Sequence, residues 1–369
     1  MDLKKDDNLK LTYRQFDPIC LDLKKALAGV EMFQRRLSPF EISGSKEDLL
    51  PLRESLKQAG QKILDTAVPA ELSEKLGILN DSTGLVLDSL ETILNAPTAD
   101  FQETFLQVMR ARRKICQAQE KLYPLRLTFP LLNRLFLETE VYDRVDEPDP
   151  KPPEGILVGL NHFGVEDDNY SRGAVSLYVP EYYDNQKKWP VVVALHGGSG
   201  HGRDFIWTWL REARSRGFIL ISPTSKGRTW SIFDPEIDGN ALDSMIEYFK
   251  EHYNFDSDKI LLTGISDGAT FALEWSLQPH SPFTAFASMA GVLPQMDLSS
   301  ARGRRIYMIH GALDWMFHVE RAQSAFDALK KAGADVSLHV IDDLSHTYPR
   351  EENKNILKWF EPGLALPGQ

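Results

Sequence analysis

Apolar residues in the first 140 positions recur at steps of three and four, which is the spacing of one face of an α-helix. Four stretches show this pattern, at residues 23–33, 49–63, 86–93 and 101–115. No alternation of apolar and polar residues interrupts them. Because an amphipathic helix is stable only when its apolar face is covered, the pattern predicts a small antiparallel helical bundle.

The pattern changes at residues 146–154, an acidic and proline-rich segment that is typical of a linker. Beyond it, short β-rich runs alternate with helical patterns such as those at 241–253 and 319–332. The predicted strands lie at residues 173–180, 190–196, 218–222, 259–265, 283–289, 304–310 and 336–342. Such alternation predicts a mostly parallel sheet with helices on both faces. We therefore expect an all-α N-terminal domain at 1–145 and, after the linker, an α/β domain at 155–369.

The composition is that of an ordinary globular protein, with 42% hydrophobic and 26% charged residues among 369. No apolar run reaches the roughly 18–20 residues that a membrane span needs, and the first residues lack the apolar region of a signal peptide. The two cysteines, Cys20 and Cys116, cannot form a disulfide framework or a four-ligand zinc site. We therefore expect a cytoplasmic protein without a membrane span, a metal ion or a cofactor.

Acidic residues are concentrated in the C-terminal part of the chain. Residues 1–144 carry 21 basic and 22 acidic residues, whereas the remainder carries 21 and 31. This excess of negative charge repels nucleic acid and anionic membrane surfaces. We therefore expect no nucleic-acid partner and a small-molecule substrate that is neutral or cationic.

The Gly-x-Ser-x-Gly pattern of residues 264–268 is the strongest chemical signal. It follows a predicted apolar strand and precedes a helical stretch at 269–277, which is the strand–turn–helix context of a nucleophile elbow. The two glycines allow the strand and helix to pack closely, and the turn then presents the hydroxyl of Ser266 at the carboxyl edge of the sheet. The amide of Asp267 begins the helix, where it can stabilise an oxyanion. The alternative interpretation is a tight turn with an incidental serine.

A serine nucleophile needs a base to take its proton and an acid to orient that base. His346 lies in a loop just beyond the last predicted strand, from which it can reach back across the sheet edge. Asp314 follows the preceding predicted strand and would lie at the same edge. The chain order Ser266, Asp314, His346 is the order expected for this architecture. Asp342 and Asp343 are alternative acids, although their closeness to His346 in sequence favours a local role.

A second amide donor for an oxyanion is expected in the glycine-rich loop at residues 196–200, which follows an apolar strand. Gly198 is the predicted donor, and together with the amide of Asp267 it would form the oxyanion hole. A phosphate-binding loop is the competing interpretation. The sequence lacks both the Gly-x-x-x-x-Gly-Lys-Ser/Thr pattern and the dinucleotide-binding glycine spacing, which disfavours that alternative.

Over residues 155–362 the sequence resembles the α/β-hydrolase superfamily, in particular the phospholipase/carboxylesterase and dienelactone-hydrolase-like esterases. The resemblance rests on four motifs: the loop at 196–200, the elbow at 264–268, His310-Gly-Ala-Leu-Asp314 and Leu344-Ser-His346. The chain departs from many relatives at Ser345, where they have glycine. The resemblance implies an α/β-hydrolase fold and acyl transfer to water through Ser266, with Asp314 and His346 completing the catalytic triad. The N-terminal helical segment lies outside the resemblance.

Aromatic residues close to these motifs indicate where a substrate would bind. Trp230 follows a strand end and Trp315 follows Asp314, so both are predicted to line an apolar cleft. The alternative is that they belong to the core, since aromatic side chains dominate buried area in most proteins.

The sequence therefore predicts a serine carboxylesterase that hydrolyses neutral carboxylic esters through an acyl-enzyme on Ser266. A serine peptidase of the same fold is the nearest alternative, because the same three residues can act on amides. A binding or scaffold protein with a non-catalytic hydrolase domain is a more distant one. For the helical domain, the amphipathic faces favour a cap over the cleft or a homo-oligomer interface.

Overall fold

The chain divides into two structural units, Met1–Pro148 and Asp149–Gln369. The computed structural model describes residues 13–39, 46–66, 69–145, 147–164, 168 and 170–366. Asp146, the first residue of the predicted linker, lies outside the described residues. Of the helices in the described part of the chain, none combines the length and apolarity needed to cross a membrane.

Four long helices account for most of the first unit: α1 (Asp17–Arg36), α2 (Leu50–Leu64), α3 (Ala70–Asn95) and α4 (Phe101–Leu122). A short helix α5 (Pro130–Asn133) and two 3-10 segments, Tyr123–Leu127 and Thr139–Arg144, follow them. The predicted all-α character of this region is confirmed. Helix α3 is longer than the stretch predicted from residues 86–93, because Leu72, Leu76 and Leu79 extend its buried face towards the N-terminus.

An eight-stranded sheet forms the centre of the second unit. The strands are β1 (Gly159–Phe163), β2 (Val175–Val179), β3 (Trp189–Leu195), β4 (Ile219–Pro223), β5 (Phe255–Ile265), β6 (Ala285–Met289), β7 (Arg305–Gly311) and β8 (Asp335–Ile341). Their order is β1-β2-β4-β3-β5-β6-β7-β8. Strands β1 and β2 are antiparallel to their neighbours, and the remaining pairs are parallel. The predicted mostly parallel sheet is confirmed, with β1 as an additional strand.

The helices of the second unit follow the strands of the sheet. They are α6 (Gly202–Phe205), α7 (Leu210–Arg216), α8 (Glu236–His252), α9 (Asp267–Ser276), α10 (Val319–Lys331) and α11 (Asn353–Phe360), with 3-10 turns at Ile206–Thr208, Ser299–Ala301, Arg350–Glu352 and Pro362–Leu364. Helices α8, α9 and α10 contribute Ile246, Phe271 and Leu329 to one apolar cluster with inner residues of the sheet. Strand β3 is buried from Val191 to Leu195, as expected for a strand covered on both faces.

The parallel direction of β3, β5, β7 and β8 brings the loops that follow them to one edge of the sheet. In open α/β sheets this carboxyl edge is where ligands bind. The loops after these four strands contain Gly198, Ser266, Asp314 and His346 respectively.

Candidate active site

The turn between β5 and α9 is sharp and places Ser266 at its apex. Ser266 has φ 55° and ψ −119°, a conformation that non-glycine residues rarely adopt. A side chain at Gly264 would bring its Cβ within 2.6 Å of the backbone of Gly268, and one at Gly268 would collide with the carbonyl of His196. The amide of Ser266 donates to the carbonyl of Met289 at 2.9 Å, which ties the turn to β6. The two glycines are therefore a steric requirement of the turn.

The structure brings Ser266, His346 and Asp314 together as a hydrogen-bonded chain. His346 Nε2 lies 3.0 Å from Ser266 Oγ, and His346 Nδ1 lies 2.8 Å from Asp314 Oδ2. All three side chains are nearly buried, with Ser266 8% exposed. The network assigns the proton on Nδ1 to the bond with Asp314, which leaves Nε2 free to accept from the serine hydroxyl.

Asp314 accepts hydrogen bonds through both of its carboxylate oxygens. Oδ1 accepts from the amides of Met316 and Phe317 at 2.9 and 2.8 Å, while Oδ2 faces His346 and lies 3.3 Å from His310 Nε2. Burial alone would raise the pKa of Asp314, but the hydrogen bonds from His346 and Phe317 and the neighbouring imidazoles outweigh it and hold this pKa below its ordinary value. The carboxylate is therefore ionised at neutral pH and can stabilise a protonated His346.

The loops that carry Asp314 and His346 are in direct contact. The amide of Leu313 donates to the carbonyl of Leu344 at 3.0 Å. A side chain at Gly311 would collide with the same carbonyl, so glycine is required where the two loops meet. Their separation, and with it the distance between Asp314 and His346, is fixed by backbone atoms.

Tyr348 anchors the loop of His346 in the core. Its hydroxyl donates to Asn353 Oδ1 at 2.7 Å, and its ring packs edge-on against Phe205 and Trp209 at centroid distances of 5.6 and 6.3 Å. Burial raises the pKa of Tyr348 well above its ordinary value, so the hydroxyl stays protonated and donates. Nothing in the sequence singles out Tyr348, whereas His310 has a signal, because it lies four residues before Asp314 in the same motif.

The glycine-rich loop after β3 adjoins the nucleophile. A Cβ on Gly197 would lie 3.5 Å from the Cβ of Ser266. Within the described part of the chain, the amides of Gly198 and Asp267 donate to no protein acceptor. Asp267 is the first residue of α9, where helical geometry leaves amides without intrahelical partners. Both predicted oxyanion donors thus belong to segments next to Ser266, Gly198 beside Gly197 in the glycine-rich loop and Asp267 directly after Ser266.

Trp230 lies in the core, which corrects its prediction as a substrate contact. The side chain is 3% exposed, and its ring stacks on that of Phe271 at a centroid distance of 5.4 Å. Its Nε1–H donates to the carbonyl of His196 at 2.7 Å. The indole N–H therefore finds its acceptor inside the protein, at the residue that follows β3 and begins the glycine-rich loop. An indole bonded in this way can be buried at little cost.

Trp315 lies beside the base and is half-buried. Its ring is 6.2 Å from the ring of His346, and the ring of Phe317 packs edge-on against the same imidazole at 5.4 Å. Leu313 and Met316, on the same loop, are 56% and 40% exposed. The loop that carries Asp314, which we call the acid loop (residues 312–318), thus presents an apolar surface next to the imidazole of His346.

The family model for phospholipase/carboxylesterase matches residues 239–361, which include Ser266, Asp314 and His346. The probable acetylxylan esterase A of Aspergillus flavus is 27% identical over 161 residues, covering 41% of this chain and 51% of the relative. Dipeptidyl-peptidase 5 of Porphyromonas gingivalis is 24% identical over 229 residues, covering 47% of this chain and 33% of the relative.

Among solved structures, the acetyl xylan esterase from Aspergillus awamori is 17% identical, with a TM-score of 0.45, and the match covers 56% of this chain and all of that one. The chain spans about half the length of the acetylxylan esterase A relative that it matches. The matched family and the curated relatives agree with the resemblance predicted from the motifs. The second unit has the mostly parallel sheet of an α/β-hydrolase fold, and its sequence is similar to the phospholipase/carboxylesterase family and to curated esterases.

Proposed function

We propose that the protein is a serine carboxylesterase acting through an acyl-enzyme on Ser266. The observation that carries the proposal is the chain of hydrogen bonds from Ser266 through His346 to Asp314, at 3.0 and 2.8 Å. Ser266 Oγ attacks the ester carbonyl carbon while its proton moves to His346 Nε2. The alcohol then leaves with that proton, and water, activated by the same imidazole, releases the acid and restores the serine.

The negative charge that develops on the carbonyl oxygen needs donors that are in place beforehand. The amides of Gly198 and Asp267 are the proposed oxyanion hole, because both belong to segments next to Ser266 and neither donates to another protein group in the described residues. The ionised Asp314 stabilises His346 while it carries the transferred proton. Fixed donors of this kind lower the barrier to ester hydrolysis more than most other catalytic groups do.

Neutral carboxylic esters are the proposed substrates. The excess of acidic residues after position 144 disfavours anionic ones, and the apolar acid loop with Trp315 and Phe317 favours an uncharged group beside the imidazole. The curated relatives named acetylxylan esterase support a short acyl group such as acetyl.

Hydrolysis of a matched pair of substrates tests the proposal. The p-nitrophenyl ester and the p-nitroanilide of the same acyl group are offered to the parent, to Ser266→Ala and to Ser244→Ala, whose serine lies on α8. We expect ester turnover by the parent and by Ser244→Ala, and a loss of about 10⁴-fold or more in Ser266→Ala. Equal ester turnover by the parent and Ser266→Ala would overturn the proposal.

A serine peptidase of the same fold is the second candidate, favoured by the similarity to a dipeptidyl-peptidase. The same experiment separates the two functions. An anilide hydrolysed as fast as its ester by the parent, and lost in Ser266→Ala, would assign the triad to amides. No turnover of either substrate by the parent would favour a binding or scaffold role.

A further inference from the structure

A segment that the catalytic proposal does not use connects the two sides of the proposed oxyanion hole. We call residues 225–231, which follow β4, the brace, and residues 196–200 the glycine-rich loop. The amide of Ser199 donates to the carbonyl of Arg228 at 3.1 Å, and Arg228 Nε donates back to Ser199 Oγ at 3.0 Å. These two bonds flank Gly198, because Ser199 is its immediate neighbour.

The brace also holds the start of the glycine-rich loop. The amide of Ser225 donates to His196 Nε2 at 3.1 Å, and the indole of Trp230 donates to the carbonyl of His196 at 2.7 Å. The backbone before and after Gly198 is therefore attached to the same short segment.

The contact with the other side of the oxyanion hole is made by Thr229. Its hydroxyl donates to Asp267 Oδ2 at 2.6 Å. A Cβ built on Gly198 would lie 2.7 Å from the same oxygen and 3.9 Å from Thr229 Oγ1. The hydroxyl of Thr229 thus binds the carboxylate of Asp267 where Asp267 comes closest to Gly198.

A buried carboxylate fixes the two ends of the brace. Asp238, in the first turn of α8, is 2% exposed and accepts from the amides of Lys226 and Ser231 at 2.8 Å each. The amide of Asp238 donates back to Ser231 Oγ at 3.1 Å. Because both ends are bound to one buried side chain, Thr229 lies in a closed and well-defined loop.

We propose that Thr229 is a positioning residue for the oxyanion hole, acting through Asp267; this rests on the proposed esterase function. Oxyanion donors act only when both amides lie within hydrogen-bond distance of the developing charge, and small displacements are costly. The strained turn at Ser266 does not by itself fix the Asp267 side chain. The hydroxyl of Thr229 holds that carboxylate in one position and donates to it, which reduces its repulsion of the oxyanion beside Gly198.

Kinetics on Thr229→Val, Thr229→Ser and Asp267→Ala test the proposal, with the double variant Thr229→Val/Asp267→Ala completing a cycle. We expect kcat for a p-nitrophenyl ester to fall about 10- to 100-fold in Thr229→Val with KM nearly unchanged, because only transition-state stabilisation is affected. The affinity for a boronic acid that mimics the tetrahedral intermediate falls by a similar factor. Thr229→Ser restores both, and the double variant loses no more than the larger single loss.

The control is Thr284→Val, which removes a hydroxyl bonded to Ile260 of β5 at the amino-terminal end of β6, away from the turn that carries Ser266. It is expected to keep parental kcat.

Parental kcat and boronate affinity in Thr229→Val, failure of Thr229→Ser to restore activity, or full additivity in the cycle would each overturn the proposal. If Thr229→Val does not fold, Asp267→Ala tests the same bond from the other side. Full activity of Ser266→Ala would instead overturn the esterase function on which the proposal rests.

Discussion

At the scale of single residues, Asp314 has polar partners at both of its carboxylate oxygens. Two backbone amides bind one oxygen, and two imidazoles face the other. Burial of an isolated carboxylate is costly, so these partners are what keep it ionised. The same bonds bear both on the catalytic role proposed for Asp314 and on folding stability.

Replacing this acid separates its two contributions. In Asp314→Asn we expect kcat to fall about 10³- to 10⁴-fold, because the imidazole loses its orienting anion and the stabilisation of its protonated form. The depressed pKa means that the carboxylate stabilises the fold at pH values above the ordinary aspartate range, and that this contribution is lost as acid protonates the folded state. The difference in unfolding free energy between the parent and Asp314→Asn should therefore be largest near pH 7 and shrink towards pH 3.

Denaturant unfolding across this pH range measures that difference. Asp327→Asn is the control, since this exposed aspartate on α10 should change stability little at any pH. A gap that is absent at pH 7, or that widens as the pH falls, would contradict the role assigned to the carboxylate.

Sequence reasoning singled out Ser266, Asp314 and His346, which the structure brings into contact, because each follows a strand that can be identified by its apolar run. It could not locate Thr229, whose importance comes from a hydrogen bond to a residue 38 positions away. The prediction for Trp230 failed for a related reason. An aromatic residue after a strand gives the same sequence pattern whether it lines a cleft or packs in the core, and Trp230 packs on Phe271.

At the scale of secondary-structure elements, the strand–turn–helix unit of β5 and α9 fixes where Ser266 lies. Its two glycines allow backbone to pass within contact distance of backbone. In contrast, Gly77 and Gly84 lie on the exposed side of α3 with no atom within 4 Å of a built Cβ. The chain therefore contains both glycines that are packed against backbone and glycines that face open space, and alanine can be introduced at either kind.

Alanine substitutions at these glycines are expected to have opposite effects. Gly268→Ala should lower the unfolding free energy by at least about 1–3 kcal/mol and abolish ester hydrolysis, because a Cβ there collides with the carbonyl of His196. Gly77→Ala should raise the stability of the helical unit by about 0.5–1 kcal/mol, since alanine favours the helix and meets nothing. Denaturant unfolding and ester turnover measure both effects; full activity in Gly268→Ala would contradict the steric account of the turn.

Element boundaries followed from sequence where burial is continuous, as in β3 and at the end of β5. The start of β5 lies at Phe255, earlier than the predicted residue 259, because the residues at 256–259 are half-buried or exposed and break the apolar run. Strand β1 was not predicted, because Gly159–Phe163 is largely half-buried and contains a single aliphatic residue, Leu160. Its place at the sheet edge, paired only with β2, explains the weak pattern.

At the scale of the whole molecule, the proposed catalytic residues Ser266, Asp314 and His346 all belong to the second of the two units. The family match begins at residue 239, so the helical unit lies outside it. The fold class was predictable because alternating strands and helices allow few arrangements, and parallel strands place their following loops at one edge. Distances between those loops were not predictable, since they depend on contacts such as that between Leu313 and Leu344.

Above all, we propose that the fold activates the hydroxyl of Ser266 as a nucleophile. Reaction with a fluorophosphonate, followed by intact mass and peptide mapping, tests it most directly, because the reagent forms a stable adduct with activated serines and needs no knowledge of the substrate. We predict one adduct per chain, on the peptide that contains Ser266, and none in Ser266→Ala. An adduct on another residue, or equal labelling of the parent and Ser266→Ala, would show that Ser266 is not the activated serine.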